Sequence, residues 1–272
     1  MATFPIYQFY VELDGYEPKM WRRFQVMNHI YLNRLAYIIM TLYETRNDYS
    51  YEFRKDEQEI FLRKHPEYKR NPERLKELNK SFEKLRYGAT FMENVYMYRA
   101  PEGYKELLDV TSVKLRDILK YENEELVFLY DPEVNWKFRV VLEKIIIDKN
   151  FFASDLPNVI DGAGYGIIES AGGVKELEKF RDELKKARWN NKTKYKDYAK
   201  PGESENKKFY FDKFDVAEMN YRIKILPKAL EGRFEYGTKL NDRQRRTLKR
   251  RYGEIRYSNF KHLSWQSCKM NV

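Results

Sequence analysis

The chain of 272 residues holds a single cysteine, Cys268, and three histidines, and nowhere does it run to the eighteen or so apolar residues that a membrane-spanning helix needs. One cysteine excludes an internal disulfide framework and fits a reducing compartment. The opening "MATFPIYQFYVELDG" shows no basic stretch leading into an apolar one, so no secretory signal is read there and the expected location is the cytoplasm, with no membrane partner. Soft or borderline metal ligands are confined to His29, His65 and the Cys268 region, where His262 is the near neighbour, and no pair stands at a ligand-type spacing. No metal site is predicted and no cofactor is expected, although so many Asp and Glu leave a carboxylate-only magnesium site open. Cys268 has no readable catalytic partner, and no serine sits in a nucleophile elbow. These absences point away from an enzyme.

What the chain does have is bulk to bury and positive charge. It is 42% hydrophobic and 16% aromatic, with 23 Tyr and 17 Phe, which predicts a folded protein even though 35% of residues are charged. Its 52 Lys and Arg against 42 Asp and Glu leave +10, which favours an anionic partner such as nucleic acid or an acidic protein surface.

The patterning predicts an α+β fold with a mixed, mainly antiparallel sheet. "IYQFYVEL" (6 to 13) alternates and is rich in β-branched and aromatic residues, and Asp14-Gly15 offers turn chemistry before "KMWRRFQV" (19 to 26), which reads as a hairpin. Leu32, Leu35, Ala36, Ile39 and Leu42 recur at helical spacing, and "YSYEFRK" returns to strand. "TSVKLRDILK" reads as a helix, while "ELVFLYD" and "NWKFRVVLEKIII" read as the two longest strands, in the centre of the sheet. Residues 174 to 189 predict an amphipathic helix with Leu177, Phe180, Leu184 and Ala187 on one stripe. "FDVAEMNYRIKIL" predicts another, capped by Asp215, with Met219, Ile223 and Leu226 facing inward.

Two segments differ in texture from this core, which spans 1–55 and 105–226. Residues 56–104 read as a helical insertion, with Leu75, Leu78, Phe82 and Leu85 on a common helix face after Pro72. Residues 227–272 read as a basic C-terminal extension. Between Lys239 and Lys261 it holds nine basic residues against Asp242 and Glu254, on a helix capped by Asn241 or Asp242 and stopped by Gly253. The apolar stripe of that helix is only Leu248 and Tyr252.

Five of the twelve glycines lie in "DGAGYGIIESAGG" (161 to 173), ahead of a helix. The spacing is not that of a dinucleotide fingerprint, and Gly173 is followed by Val174 and Lys175 rather than by Lys and Ser or Thr. The segment is read as a tight loop, not a phosphate cradle.

Three stretches together resemble the plasmid pRiA4b ORF-3-like family, also known as the TnpR-type passenger proteins of insertion elements. "YQFYVELDGYEPKMWRRFQV" is similar to its opening hairpin with "P-x-x-W-R-R", here Pro18, Trp21, Arg22 and Arg23. "KLRDIL…ELVFLYDPEVNWKFRVVLEKI" is similar to its "F-x-Y-x-Y-D-F-G-D-x-W-x-H" region, and "DGAGYGIIESAGGVKELEKF" to its glycine-rich loop; the likeness runs from about residue 5 to 225. It implies an α+β fold and an association with mobile elements, with no settled activity. "PEVNWKF" keeps Trp136 but lacks the Gly-Asp pair and the His, and Gly166 and Ala171 stand where relatives often carry Cys. Any metal or acid–base site built from those residues is therefore not carried over, nor is a resolvase activity.

The leading expectation is a non-catalytic accessory protein of a plasmid, phage or other mobile element that binds DNA or RNA through Arg243, Arg245, Arg246, Lys249, Arg250, Arg251 and Arg256. Arg243, Arg246 and Arg250 fall on one helical face, a spacing that can follow a phosphate backbone, while Arg245 and Arg251 point elsewhere. Tyr252, Tyr257, Phe260 and Trp265 interleave with them, as stacking residues or as docking contacts to the core. The alternative is a protein-binding inhibitor or adaptor of the anti-defence, anti-CRISPR-like kind, blocking a host nuclease or nucleoprotein complex through "FMENVYMYRAPEGY", with Tyr96, Tyr98 and Tyr104 as interface residues. In the Trp21-Arg22-Arg23 triplet, alternation puts the two arginines on opposite faces, so one is expected to pair with an acidic neighbour.

Overall fold

A computed structural model describes residues 4–45, 49–70, 84–88, 107–131, 133–148, 155–187 and 214–224, with positions 73, 76, 77 and 82 between them. Alternation decides the strands. In β1 (Ile6–Leu13) Tyr7, Phe9, Val11 and Leu13 point to one side, and in β2 (Trp21–Met27) the buried Arg22, Phe24 and Val26 alternate with half-exposed Trp21, Arg23, Gln25 and Met27. The hairpin aligns Tyr10 with Arg23 and Glu12 with Trp21.

Helix α1 (Leu32–Leu42) follows and is buried along nearly its whole length, with Leu32, Leu35, Ala36, Ile39 and Leu42 fully enclosed. Next come β3 (Tyr51–Asp56), α2 (Glu57–Lys64), a 3-10 turn at Pro66–Arg70, β4 (Lys84–Gly88) and β5 (Leu107–Asp109). A one-turn helix α3 (Leu115–Ile118) leads into β6 (Glu125–Tyr130), β7 (Trp136–Ile146) and β8 (Asn158–Ala163). The described chain closes with α4 (Val174–Ala187) and α5 (Val216–Lys224).

The eight strands form one sheet in the order β5-β4-β3-β6-β7-β1-β2-β8, antiparallel except for the β4–β5 pair. On one face Phe9, Phe24, Phe53, Phe128, Phe138 and Val140 join α1, Leu177 and Phe180 of α4, and Met219 and Ile223 of α5 in a single core. On the other face α2 is held by ion pairs: Glu59 to Lys137 at 2.6 Å and Arg63 to Glu125 at 2.8 Å. The arrangement is helices, sheet, then one helix over part of the outer face. Among the described residues no helix is long and apolar enough to cross a membrane.

Three readings need correction. β7 has 11 residues and is the longest strand, but β6 has 6 and is shorter than β1 and β2; its six consecutive buried residues gave it the look of length. Leu85 belongs to β4 rather than to a helix, because pairing of Lys84–Gly88 with β3 outweighs the helical spacing of a charged segment. "TSVKLRDILK" makes only one helical turn, closed where the Leu119 N–H reaches the Leu115 carbonyl. Asp215 caps α5 as expected, its carboxylate accepting from the Glu218 N–H at 3.0 Å.

α5 lies along β8, the last strand of the sheet. The Asn220 amide accepts from the Val159 N–H at 2.7 Å and donates to the Val159 carbonyl at 2.8 Å, taking the place that a ninth strand would fill. Replacing Asn220 with Ala strips both partners from a nearly buried backbone position and is expected to cost about 2 kcal/mol in denaturant unfolding of the full chain. A change within about 0.5 kcal/mol would show that the edge is satisfied in another way.

Candidate functional site

Two of the stretches that carry the family resemblance, the opening hairpin and the glycine-rich loop, meet at Arg22, and the third reaches the same place through Phe138, whose ring centroid lies 4.6 Å from that of Tyr43. The Arg22 guanidinium is fully buried on the core face. Four N–H groups donate to main-chain carbonyls: Nε to Leu42 at 2.9 Å, Nη1 to Trp21 at 2.8 Å and to Ala163 at 2.6 Å, and Nη2 to Tyr165 at 3.0 Å. Its carbon lies 4.6 Å from the Tyr43 ring centroid and 4.2 Å from that of Phe214, so the cation contacts two aromatic rings. Burial pushes the Arg22 pKa down to about 10, against the stabilising charge of nearby Glu44, and burial likewise drives the Tyr43 hydroxyl well up. Tyr43 spends that hydroxyl on the Val11 and Met20 carbonyls. Neither group is placed to exchange a proton with a solvent-borne substrate.

The glycine-rich segment is the wall of this cage. Ala163 and Tyr165 aim carbonyls inward, and the Ile167 N–H returns to the Tyr43 carbonyl at 2.9 Å. Gly166 has φ of +146°, and a Cβ there would come within 2.7 Å of the Tyr43 oxygen; a Cβ on Gly162 would run into the Phe214 ring. Glycine is needed for close approach of this chain to itself, and the polar groups bind a cation rather than a phosphate. Glu169, just beyond, accepts from Tyr130 at 2.6 Å, and Arg222 of α5 spans both Glu44 oxygens at 2.7 Å. Tyr130 and Trp136 are cross-strand neighbours, and Asp131 takes the Glu133 and Val134 N–H groups to shape the turn between β6 and β7. Each element the resemblance singled out therefore has a structural occupation here.

The opposite face is a field of paired charges. Arg139 bridges Glu12 at 3.3 Å and Glu125 at 2.7 Å, and Arg86 meets Glu52. Arg23 makes a two-pronged pair with Glu143 at 2.7 and 2.8 Å, so it is the arginine with the acidic neighbour. Beside it Tyr10 and Trp21 stack with centroids 5.6 Å apart, and Gln25 donates to Gln8, which donates to Glu143. A groove of about 460 Å³ lies against α2 between Asp56, Gln58, Glu59, Leu62, Arg63 and Lys69. Glu59 and Arg63 are already paired, and Asp56 caps α2. No cluster of His, Cys, Asp and Glu fit for a metal occurs among the described residues.

Arg243, Arg245, Arg246, Lys249, Arg250, Arg251 and Arg256, and the interface candidates Tyr96, Tyr98 and Tyr104, lie outside the described residues. The family model for plasmid pRiA4b ORF-3-like proteins matches residues 5–220. The chain belongs to that family. Among solved structures, the crystal structure of the protein of unknown function MM3350 from Methanosarcina mazei Go1 is similar, with a TM-score of 0.56 and 22% identity over 80% of this chain and 97% of the other. That likeness shows a shared fold. No curated protein matches. The pRiA4b ORF-3-like core thus contains the Arg22 cage, and the family match stops before the basic extension.

Sequence reasoning missed the cage because its acceptors are backbone groups from residues 21, 42, 163 and 165, invisible to side-chain motifs. The Tyr10–Trp21 pair was within reach, since alternation puts both on the outward face of one hairpin. Arg22→Lys is expected to cost about 3 kcal/mol, because an ammonium has three donors and no planar fork for four carbonyls. Arg23→Gln is expected to cost under about 1 kcal/mol, its pair with Glu143 being partly solvated. Equal costs in urea unfolding would contradict this ranking. Acid should also weaken the outer face. The Arg23 hydrogen bond holds Glu143 below the usual range, and hydrogen bonds from Tyr10, Lys19 and Arg139 overcome burial to do the same for Glu12. The stability these lowered pKa values confer is full above the unfolded glutamate value of about 4.3 and is lost as pH falls through the lower folded values; flat stability there would refute it.

Proposed function

We propose that this protein is a plasmid-type accessory protein that binds nucleic acid through its C-terminal extension, with the α+β core as a non-catalytic mount. One observation supports this above the rest. Residues 227–272 hold twelve Lys and Arg against four Asp and Glu, so the extension carries +8 of the chain's +10 and leaves +2 for the 226 residues before it. Excess charge of this density, not shared with the core, is what attracts a polyanion and releases its counterions.

The core is consistent with a supporting role. Arg139, Arg86, Arg63 and Arg23 of the outer face are engaged with Glu12, Glu52, Glu125 and Glu143, and Arg22 is spent on the fold. α5 is anchored by Asn220, Arg222, Met219 and Ile223, so the extension follows from an element fixed at the β8 edge.

The test is the salt dependence of binding to labelled duplex DNA, single-stranded DNA and RNA. The native chain should bind at least one of these with affinity that falls steeply as salt rises. Joint replacement of Arg243, Arg246 and Arg250 by Gln should lower the log–log slope by about 2 to 3, close to one released counterion per lost phosphate contact. An unchanged slope would remove the extension from the interface. Absence of binding at low salt would reject the nucleic-acid reading and favour the protein-binding alternative through the region of Tyr96, Tyr98 and Tyr104.

A further inference from the structure

The chain has two Asp-Gly steps, Asp14-Gly15 and Asp161-Gly162, and the second adjoins the Arg22 cage. β8 is the last strand of the sheet, and its pairing with β2 slips between Arg23 and Phe24. Ile160 is the extra residue there, so the ladder is disrupted just before Asp161. Ile160 and Asp161 are both exposed. The Gly162 N–H donates to the Asp161 Oδ1 at 2.8 Å, which holds the carboxyl group against the nitrogen of the next residue. Gly162 carries no side chain to shield that nitrogen, because the Phe214 ring fills the space a Cβ would take. At the other step the Asp14 carboxylate is drawn toward Lys137, at 3.8 Å.

We propose that Asp161 is where this chain isomerises spontaneously to isoaspartate, through a cyclic imide with the Gly162 nitrogen, and that the product unfastens the Arg22 cage. In the first step the Gly162 nitrogen bonds to the Asp161 Cγ and the C–OH bond of the carboxylic acid breaks. The hydroxyl leaves with the amide proton as water. Water then reopens the imide. Cleavage between the Gly162 nitrogen and the Asp161 main-chain carbonyl carbon leaves the chain running through the side chain, with one methylene added to the backbone. Reactant and product have the same composition, and water is the sole co-reactant. What the fold supplies is proximity, since a carboxyl group preset beside its nucleophile reacts faster than one that must find it. The added atom falls between the residue paired with Arg23 and the Ala163 and Tyr165 carbonyls, which accept from Arg22 at 2.6 and 3.0 Å. Those carbonyls cannot keep their places on Arg22 while the register with β2 is kept as well. The proposal is independent of the nucleic-acid reading.

The folded full chain is held at physiological temperature and pH, and samples are cleaved to peptides in mild acid. Isoaspartate is located by electron-transfer fragmentation and by methyl transfer from S-adenosylmethionine with an isoaspartate-specific carboxyl methyltransferase. Residue 161 should accumulate roughly tenfold more than residue 14, the gain expected of a preset geometry. Asp161→Glu keeps the charge opposite Arg23 but cannot close a five-membered imide, so it should lose the signal at 161 and leave that at 14 unchanged. Aged native chain should lose amide protection in residues 163–173 and Val216–Lys224 in proportion to its isoaspartate, and treatment with the methyltransferase and S-adenosylmethionine should restore it. A yield at 161 no higher than at 14 would overturn the proposal. Isoaspartate at 161 with unaltered protection would overturn the opening of the cage. Both comparisons use the native chain, so they decide the matter even where Asp161→Glu fails to fold.

Discussion

A buried cation with main-chain acceptors is the constraint on which the rest of this structure depends. Burying a guanidinium is unfavourable unless its N–H groups are satisfied, and Arg22 can satisfy them only if the end of α1, the backbone of β2 and the loop after β8 converge on it. That demand explains the glycines, since side chains at Gly162 or Gly166 would collide with Phe214 or with the Tyr43 backbone. It also explains α5, whose entry residue Phe214 covers the cation and whose Arg222 balances Glu44. A segment that looks like a ligand cradle in sequence is occupied by the protein's own side chain.

The two faces of the sheet divide the work. The core face joins α1, α4 and α5 into one apolar cluster, and the outer face replaces apolar packing with cross-strand ion pairs. Because the outer pairs are mutually neutralising, the described core presents little net attraction for a polyanion. The unbalanced charge of the chain belongs to the extension, and the family match ends before it.

Much of the architecture was legible because it follows from period. The β1–β2 hairpin, α1, β7 and the amphipathic stripe of α4 were readable since their apolar residues repeat every two or every three to four positions over long stretches. β4 was hidden: five residues, Lys84–Gly88, carry no strand pattern of their own and become a strand by pairing with β3. The opposite faces of Arg22 and Arg23 were foreseeable from alternation, but not which would be buried. That choice is made by carbonyls some 20 and 140 residues away in sequence, together with a ring at position 214. The Glu44–Arg222 pair was equally out of reach, since neither residue sits in a motif and they are joined only by the docking of α5 on α1.

Native-state amide hydrogen exchange on the full chain carrying Arg22→Lys, compared with the native protein, tests the central claim most directly. The account predicts that amides of residues 163–173 and of Val216–Lys224 lose protection together, while those of β1, β6 and β7 keep theirs under the same conditions. Unchanged protection in the loop and in α5, or a uniform loss through every strand, would contradict the view that Arg22 is the fastening between the sheet and the elements at its end.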